Sequence, residues 1–264
     1  MIQWKKGLAC ALSAALLSGA AIPALAEQTP TVITDTESGE TAEQLMNDAD
    51  VPAWASEDEV VPVEGEAIDL PGTKSAVLME MNNGSVLFEM NSHEKVPIAS
   101  VTKVMTLLLI MEAIDDGTIS YQDMVTCSAF AASMGGSQIW LEEGETMSVD
   151  DMLKAICVVS ANDCCAAMAE YLSGSMESFV ARMNQRAAEL GMNDTHFVDC
   201  SGLSDDGYSS AHDVALMSRE LMKHDGIVKY TTIWMDTLRN GASQLVNTNK
   251  PVSYTHLDVY KRQG

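Results

Sequence analysis

Apolar positions change rhythm several times along the 264 residues. Behind Lys5 and Lys6, the stretch from Gly7 to Ala21 is apolar or small, and it closes on Pro23 and Ala24-Leu25-Ala26. The run is shorter than the ~20 residues a membrane span needs. A positive start, an apolar middle and a small-residue end predict an export signal over residues 1–26, cleaved before Glu27. Residues 27–70 show no period; Thr, Glu, Asp and Ser dominate and Pro30, Pro52 and Pro62 interrupt, so a solvated acidic leader is expected.

Regular patterning begins near Lys74. Ser75–Met81 and Ser85–Met90 read as short strands around Asn83-Gly84, a strong hairpin signal. A polar turn follows at Asn91–Lys95. Val101 to Ile114 is apolar almost all round, which predicts a helix buried on every side. Ser148-Val149-Asp150-Asp151 is a capping pattern ahead of Met152, Leu153, Ile156 and Val159. Met176 to Leu190 puts Phe179, Val180, Met183 and Leu190 on one face and is stopped by Gly191. Ser210-Ala211-His212-Asp213 opens a further helix with Val214, Met217, Leu221 and Met222 turned inward. A hairpin followed by helices predicts an α+β fold with an antiparallel sheet.

Charge narrows the set of partners. Against 15 Lys plus Arg stand 38 Asp plus Glu, a net charge of −23. That balance excludes a protein built to neutralise nucleic-acid phosphates, or to dock on an anionic membrane through a basic patch. Thirteen of the acids fall within residues 27–70, where no Lys or Arg occurs, so the extreme charge belongs to the leader. The remainder is ordinary for a folded domain, and 47% hydrophobic residues supply its core. Beyond Cys10, the five cysteines Cys127, Cys157, Cys164, Cys165 and Cys200 have an odd count and no framework spacing. Without a Cys-x-x-Cys pattern or a neighbouring His, adjacent Cys164 and Cys165 are expected to be small buried residues. No cofactor or metal is implied.

Ser-x-x-Lys occurs twice, as Ser92-His93-Glu94-Lys95 and Ser100-Val101-Thr102-Lys103. The first lies in a polar turn, where a solvated loop is expected. The second opens the buried helix, and residues three apart on a helix share a face. There the Lys103 amine comes within reach of the Ser100 hydroxyl. A serine hydroxyl is a weak nucleophile without an adjacent base, and lysine serves as that base only when its pKa is lowered. Ser160-Ala161-Asn162, the one Ser-x-Asn in the chain, directly follows the helix ending at Val159. Ser-x-x-Lys, Ser-Asp-Asn and Lys-Thr-Gly occur together in penicillin-binding proteins and class A β-lactamases.

With these residues the chain resembles the serine D-alanyl-D-alanine carboxypeptidases, the low-molecular-mass penicillin-binding proteins. The likeness extends over His93-Glu94-Lys95, Pro97 to Thr106, Gly136 to Leu141, Val158 to Asp163, Glu189 to Met192, Thr195-His196-Phe197 and Ser210 to Asp213. It implies the penicillin-binding transpeptidase fold, with an antiparallel sheet and a helical subdomain. It implies Ser100 as acylated nucleophile, Lys103 as its base, Ser160 as proton relay and Asn162 as a substrate-orienting amide. Peptidoglycan stem peptides would be the substrate and β-lactams the inhibitors, outside the cytoplasmic membrane, with membrane anchoring of an intact parent compatible with the family.

Two departures from the family pattern shape the expectation. Ala161 stands where the family usually has Gly, a small change. None of the ten lysines is followed by Thr-Gly or Ser-Gly, so the third motif does not occur. The likeness runs through Lys250, and residues 251–264 resemble nothing in the family. The domain over residues 71–250 is therefore expected to be incomplete, to end in a foreign tail, and to be a poor catalyst by itself. Two alternatives stay open: a class A β-lactamase, with Glu189 as a candidate for activating water, and a non-catalytic wall-binding or penicillin-sensing module.

Overall fold

The structure, a computed structural model, describes residues 70–249. The predicted export signal, nearly all of the acidic leader and the tail after Lys250 lie outside those residues.

The first strands, β1 (Ala76–Met79) and β2 (Val86–Met90), form the predicted hairpin. Its connection is longer than a two-residue turn. The Glu80 N–H donates to Ser85 O at 2.8 Å, leaving four residues between. The Glu80 carboxylate organises them by accepting from the Asn83 N–H at 2.7 Å and Asn82 Nδ2 at 3.0 Å, and Gly84 turns at φ +80°. Val96 then pairs with Ser209 and leads into a 3-10 turn over Ala99–Thr102. Helix α1 (Lys103–Asp115) follows directly. As its all-round apolar pattern demands, Met105 and Leu107 to Met111 are buried without a break.

Strands β3 (Met124–Thr126) and β4 (Thr146–Ser148) pair antiparallel and enclose a short helix, α2 (Ala129–Ala132). Helix α3 (Val149–Val159) starts at Ser148, whose Oγ accepts the Asp151 N–H. Helices α4 (Asn162–Ser173) and α5 (Met176–Glu189) follow, the latter burying Phe179 and Met183 as its periodicity predicts. Ser210 caps α6 (Ala211–Leu221) by accepting the Asp213 N–H at 3.2 Å. A short helix, α7 (Val228–Thr231), leads to the pair β5 (Met235–Leu238) and β6 (Ser243–Val246). Among the described residues the expected antiparallel pairing is thus divided among three two-stranded ladders. Helix α1 runs through the centre with α4, α5 and α6 packed around it. None of the helices among the described residues is long and apolar enough to cross a membrane.

Candidate active site

The 3-10 turn makes the Ser100–Lys103 pair. With three residues per turn, side chains at i and i+3 eclipse, a tighter match than the α-helical spacing expected from sequence. Lys103 Nζ lies 2.9 Å from Ser100 Oγ and 2.9 Å from Ser201 O. Ser100 is exposed whereas Lys103 is only 4% exposed, so the hydroxyl faces solvent with the amine hidden behind it. Burial pushes the Lys103 pKa down from the ordinary lysine value. Cys165, Cys200 and Asp199 are the neighbours that oppose this when ionised. Burial holds the Cys165 thiol up at about 12 and Cys200 higher still, so neither thiol supplies that charge near neutral pH. Lys103 Nζ donates to both the Ser201 carbonyl and Ser100 Oγ, and loss of one proton would turn a lone pair toward the Ser100 hydroxyl.

The other Ser-x-x-Lys is built differently. Ser92 is buried rather than solvated, because it is held by one contact within its own segment and one from far along the chain. Its Oγ donates to Glu89 Oε2 at 2.7 Å, and its carbonyl accepts the His212 N–H at 2.9 Å. Lys95 turns away to Asp194, 3.5 Å distant.

Ser160 closes α3 in the left-handed conformation, φ 61° and ψ 40°. Its N–H donates to Ile156 O at 3.1 Å. Ala161 has φ −63°, which any L-residue adopts, so the alanine brings no strain to this loop. Asn162 opens α4 and is buried; its N–H donates to Ser137 O and its Nδ2 to Gly135 O, each at 2.7 Å. Its Oδ1 is buried and has no hydrogen-bond partner among the described residues. Ser160 and Asn162 make no hydrogen bond to Ser100 or Lys103 here. Helix α4 relates the two motifs, since Cys165, one turn beyond Asn162, lies beside Lys103.

Three further features escaped the sequence. Asp163 is fully buried and accepts from the N–H groups of Ile139 (3.1 Å), Leu141 (3.0 Å) and Cys164 (2.9 Å), pinning the loop over residues 135–141 to α4. Arg239 holds that loop from outside, donating to Ile139 O at 3.1 Å, Trp140 O at 3.3 Å and Glu145 at 2.7 Å. The loop Asp199 to Ser204 supplies the Ser201 carbonyl, and its Gly202, at φ +77°, presses on Ala99 so closely that an added Cβ would lie 1.8 Å from Ala99 O. The Asp-x-Ser-Gly pattern was the available signal. Glu189 sits exposed at the end of α5, where Gln185 and Arg186 of the same helix hold its carboxylate. Among the described residues no group of three or more His, Cys, Asp or Glu is placed to hold a metal ion.

The sequence profile of the D-alanyl-D-alanine carboxypeptidases matches residues 66–262. The chain is similar to D-alanyl-D-alanine carboxypeptidase DacF of Bacillus subtilis (strain 168), with 51% identity over 185 residues, 69% of this chain and 48% of that protein. Among solved structures it is similar to penicillin binding protein 5 from Haemophilus influenzae. That match has a TM-score of 0.68 and 29% identity, over 73% of this chain and 57% of the other. Penicillin-Binding Protein D2 from Listeria monocytogenes, solved in the ampicillin bound form, matches at TM-score 0.60 and 30% identity, over 67% of this chain and 73% of the other. The chain spans about half the length of the curated relatives it matches.

Proposed function

This chain belongs to the D-alanyl-D-alanine carboxypeptidase family, and on that premise we propose that it carries the acylating centre of a serine carboxypeptidase acting on peptidoglycan stem peptides. Its α+β fold is that of the penicillin-binding proteins. The observation that carries the proposal is the exposed Ser100 hydroxyl 2.9 Å from a buried Lys103 amine of lowered pKa.

The Ser100 oxygen attacks the carbonyl carbon of the last peptide bond as its proton passes to Lys103. The tetrahedral intermediate collapses, the C–N bond breaks, and the leaving D-alanine amine takes a proton delivered by Lys103 through Ser160. Water then hydrolyses the Ser100 ester. Asn162, whose buried Oδ1 has no partner among the described residues, is the amide assigned to orient the stem peptide. A β-lactam forms the same ester by ring opening, which fits the ampicillin-bound relative. Lys-Thr-Gly does not occur among the 264 residues, so we assign no residue of this chain to the terminal carboxylate. The export signal over residues 1–26, the acidic leader and a location in the cell envelope belong to the same proposal.

Labelled penicillin followed by peptide mass spectrometry tests it. The adduct is expected on the Ser100 peptide, lost in Ser100→Ala and kept in Ser92→Ala. An adduct elsewhere, or rapid turnover of penicillin without a lasting adduct, would overturn the assignment, the latter in favour of a β-lactamase.

A further inference from the structure

The groups around Lys103 come from three places: Ser100 on the 3-10 turn, Cys165 on α4, and Asp199, Cys200 and Ser201 on one loop. Ser201 contributes only its backbone carbonyl, which any residue would supply. What matters is what aims that carbonyl. A trans peptide is planar, with its C=O and N–H pointing in opposite directions. The N–H opposite the Ser201 carbonyl belongs to Gly202, and it donates to Asp199 Oδ1. The preceding peptide repeats the arrangement. The Ser201 N–H donates to the same Oδ1 at 2.7 Å, and the Cys200 carbonyl on the far side accepts from Thr106 Oγ1 at 2.6 Å. Thr106 lies three residues after Lys103 on α1, so both carbonyls face the same stripe of that helix. The second carboxylate oxygen accepts the Ser204 N–H at 2.8 Å.

We propose that Asp199 is a positioning residue for acyl transfer: by gripping the N–H edges of two successive peptides it aims the Ser201 carbonyl at Lys103 and holds the amine on Ser100. It touches neither substrate nor the reacting atoms. This rests on the acylating role proposed for Ser100 and Lys103.

The test is the rate of Ser100 acylation by labelled penicillin against pH, in the 264-residue chain and three variants. Asp199→Ala frees both peptides, and the rate on its high-pH plateau is expected to fall by about 10²-fold, as for a ~1 Å misplacement of a reacting group. Asp199→Asn keeps an acceptor at Oδ1 and loses the Ser204 bond. Its plateau is expected within about fivefold of the unsubstituted protein. With the anion gone, its acid limb should move to lower pH, because Lys103 then gives up its proton more easily. Thr106→Val breaks the Cys200 bond from the same loop without freeing the Ser201 peptide, and its plateau is expected to hold within about fivefold. An Asp199→Ala plateau like that of the unsubstituted protein, or an equal fall in Thr106→Val, would overturn the proposal by reducing Asp199 to a general support of the loop. If Asp199→Ala does not fold, Asp199→Glu, which keeps the charge but shifts the carboxylate by one methylene off the two N–H groups, takes its place, and an unchanged plateau there does the same. No Ser100 adduct in the unsubstituted protein sinks the functional reading itself, an outcome distinct from these.

Discussion

Replacing Gly202 with alanine adds one methyl group where the fold leaves no room for it. The new Cβ would lie 1.8 Å from Ala99 O, 2.4 Å from Ala99 C and 2.8 Å from Thr102 Oγ1. A relaxed carbon–oxygen contact needs ~3.3 Å, so backbone must move by about 1.5 Å. The atoms in the way belong to the turn that carries Ser100, and Ala99 is already held at φ 44°, with little freedom to give. Two costs add: ~1–2 kcal/mol for an L-residue at φ +77°, and ~1–3 kcal/mol for overpacking. Together they correspond to a fall of roughly 5–15 °C in melting temperature. The larger effect is on chemistry, because a displacement of this size takes Ser100 Oγ off Lys103 Nζ and should slow penicillin acylation by about 10²-fold. Gly174→Ala is the matched control: Gly174 also has φ +77°, with nothing within 4 Å of an added Cβ. It should show the conformational cost alone, a few degrees of melting temperature with acylation unchanged. Equal acylation rates in the two variants would refute the argument.

Three further outcomes are expected. Acylation should rise with pH as Lys103 loses its proton, with a midpoint below the ordinary lysine value of 10.5, and Lys103→Arg should abolish it; a flat profile would exclude lysine as the base. Asp163→Ala strands three buried N–H groups and should cost ~3–5 kcal/mol in urea denaturation; a loss under ~1 kcal/mol would mean the loop over residues 135–141 is held elsewhere. Burial pushes the Asp150 pKa up, but hydrogen bonds from Lys229, Tyr230 and Lys154 together outweigh it and hold the group at about 2. Its contribution, ~2 kcal/mol, is therefore complete above 3.8 and lost as pH falls through about 2; Tyr230→Phe should move that loss to higher pH, read from melting temperatures between pH ~2 and ~5.

What the sequence made legible shares one property: side chains acting within one turn of themselves. The Ser148 and Ser210 caps, the one-sided helix from Met176 and the Ser100–Lys103 pair all rest on spacings of three or four residues. Where the partner is distant, local pattern fails. Ser92 reads as solvated because nothing nearby announces the backbone of His212. Ser201 works through a carbonyl, which leaves no trace in residue type. Gly202 reads as a turn glycine, although what excludes a side chain there is Ala99, a hundred residues earlier. Asn83-Gly84 announces a hairpin, yet the Glu80 carboxylate gives the turn its length.

Lys103 is the first residue of a helix buried without a break from Met105 to Met111. Segments buried on all sides open only when the whole domain opens, so the amides of α1 should be among the slowest to exchange with solvent deuterium. The proposed base is thus fastened to the most reluctant part of the molecule, and the exposed hydroxyl sits one turn ahead of it. Thermal motion that leaves the core shut keeps the backbone anchor of the amine in place, and the Ser201 carbonyl then sets where the side chain carries Nζ. The same coupling has a cost in adaptability: a change that loosens the centre of this domain reaches the reacting pair directly, with no compliant segment between them to absorb it.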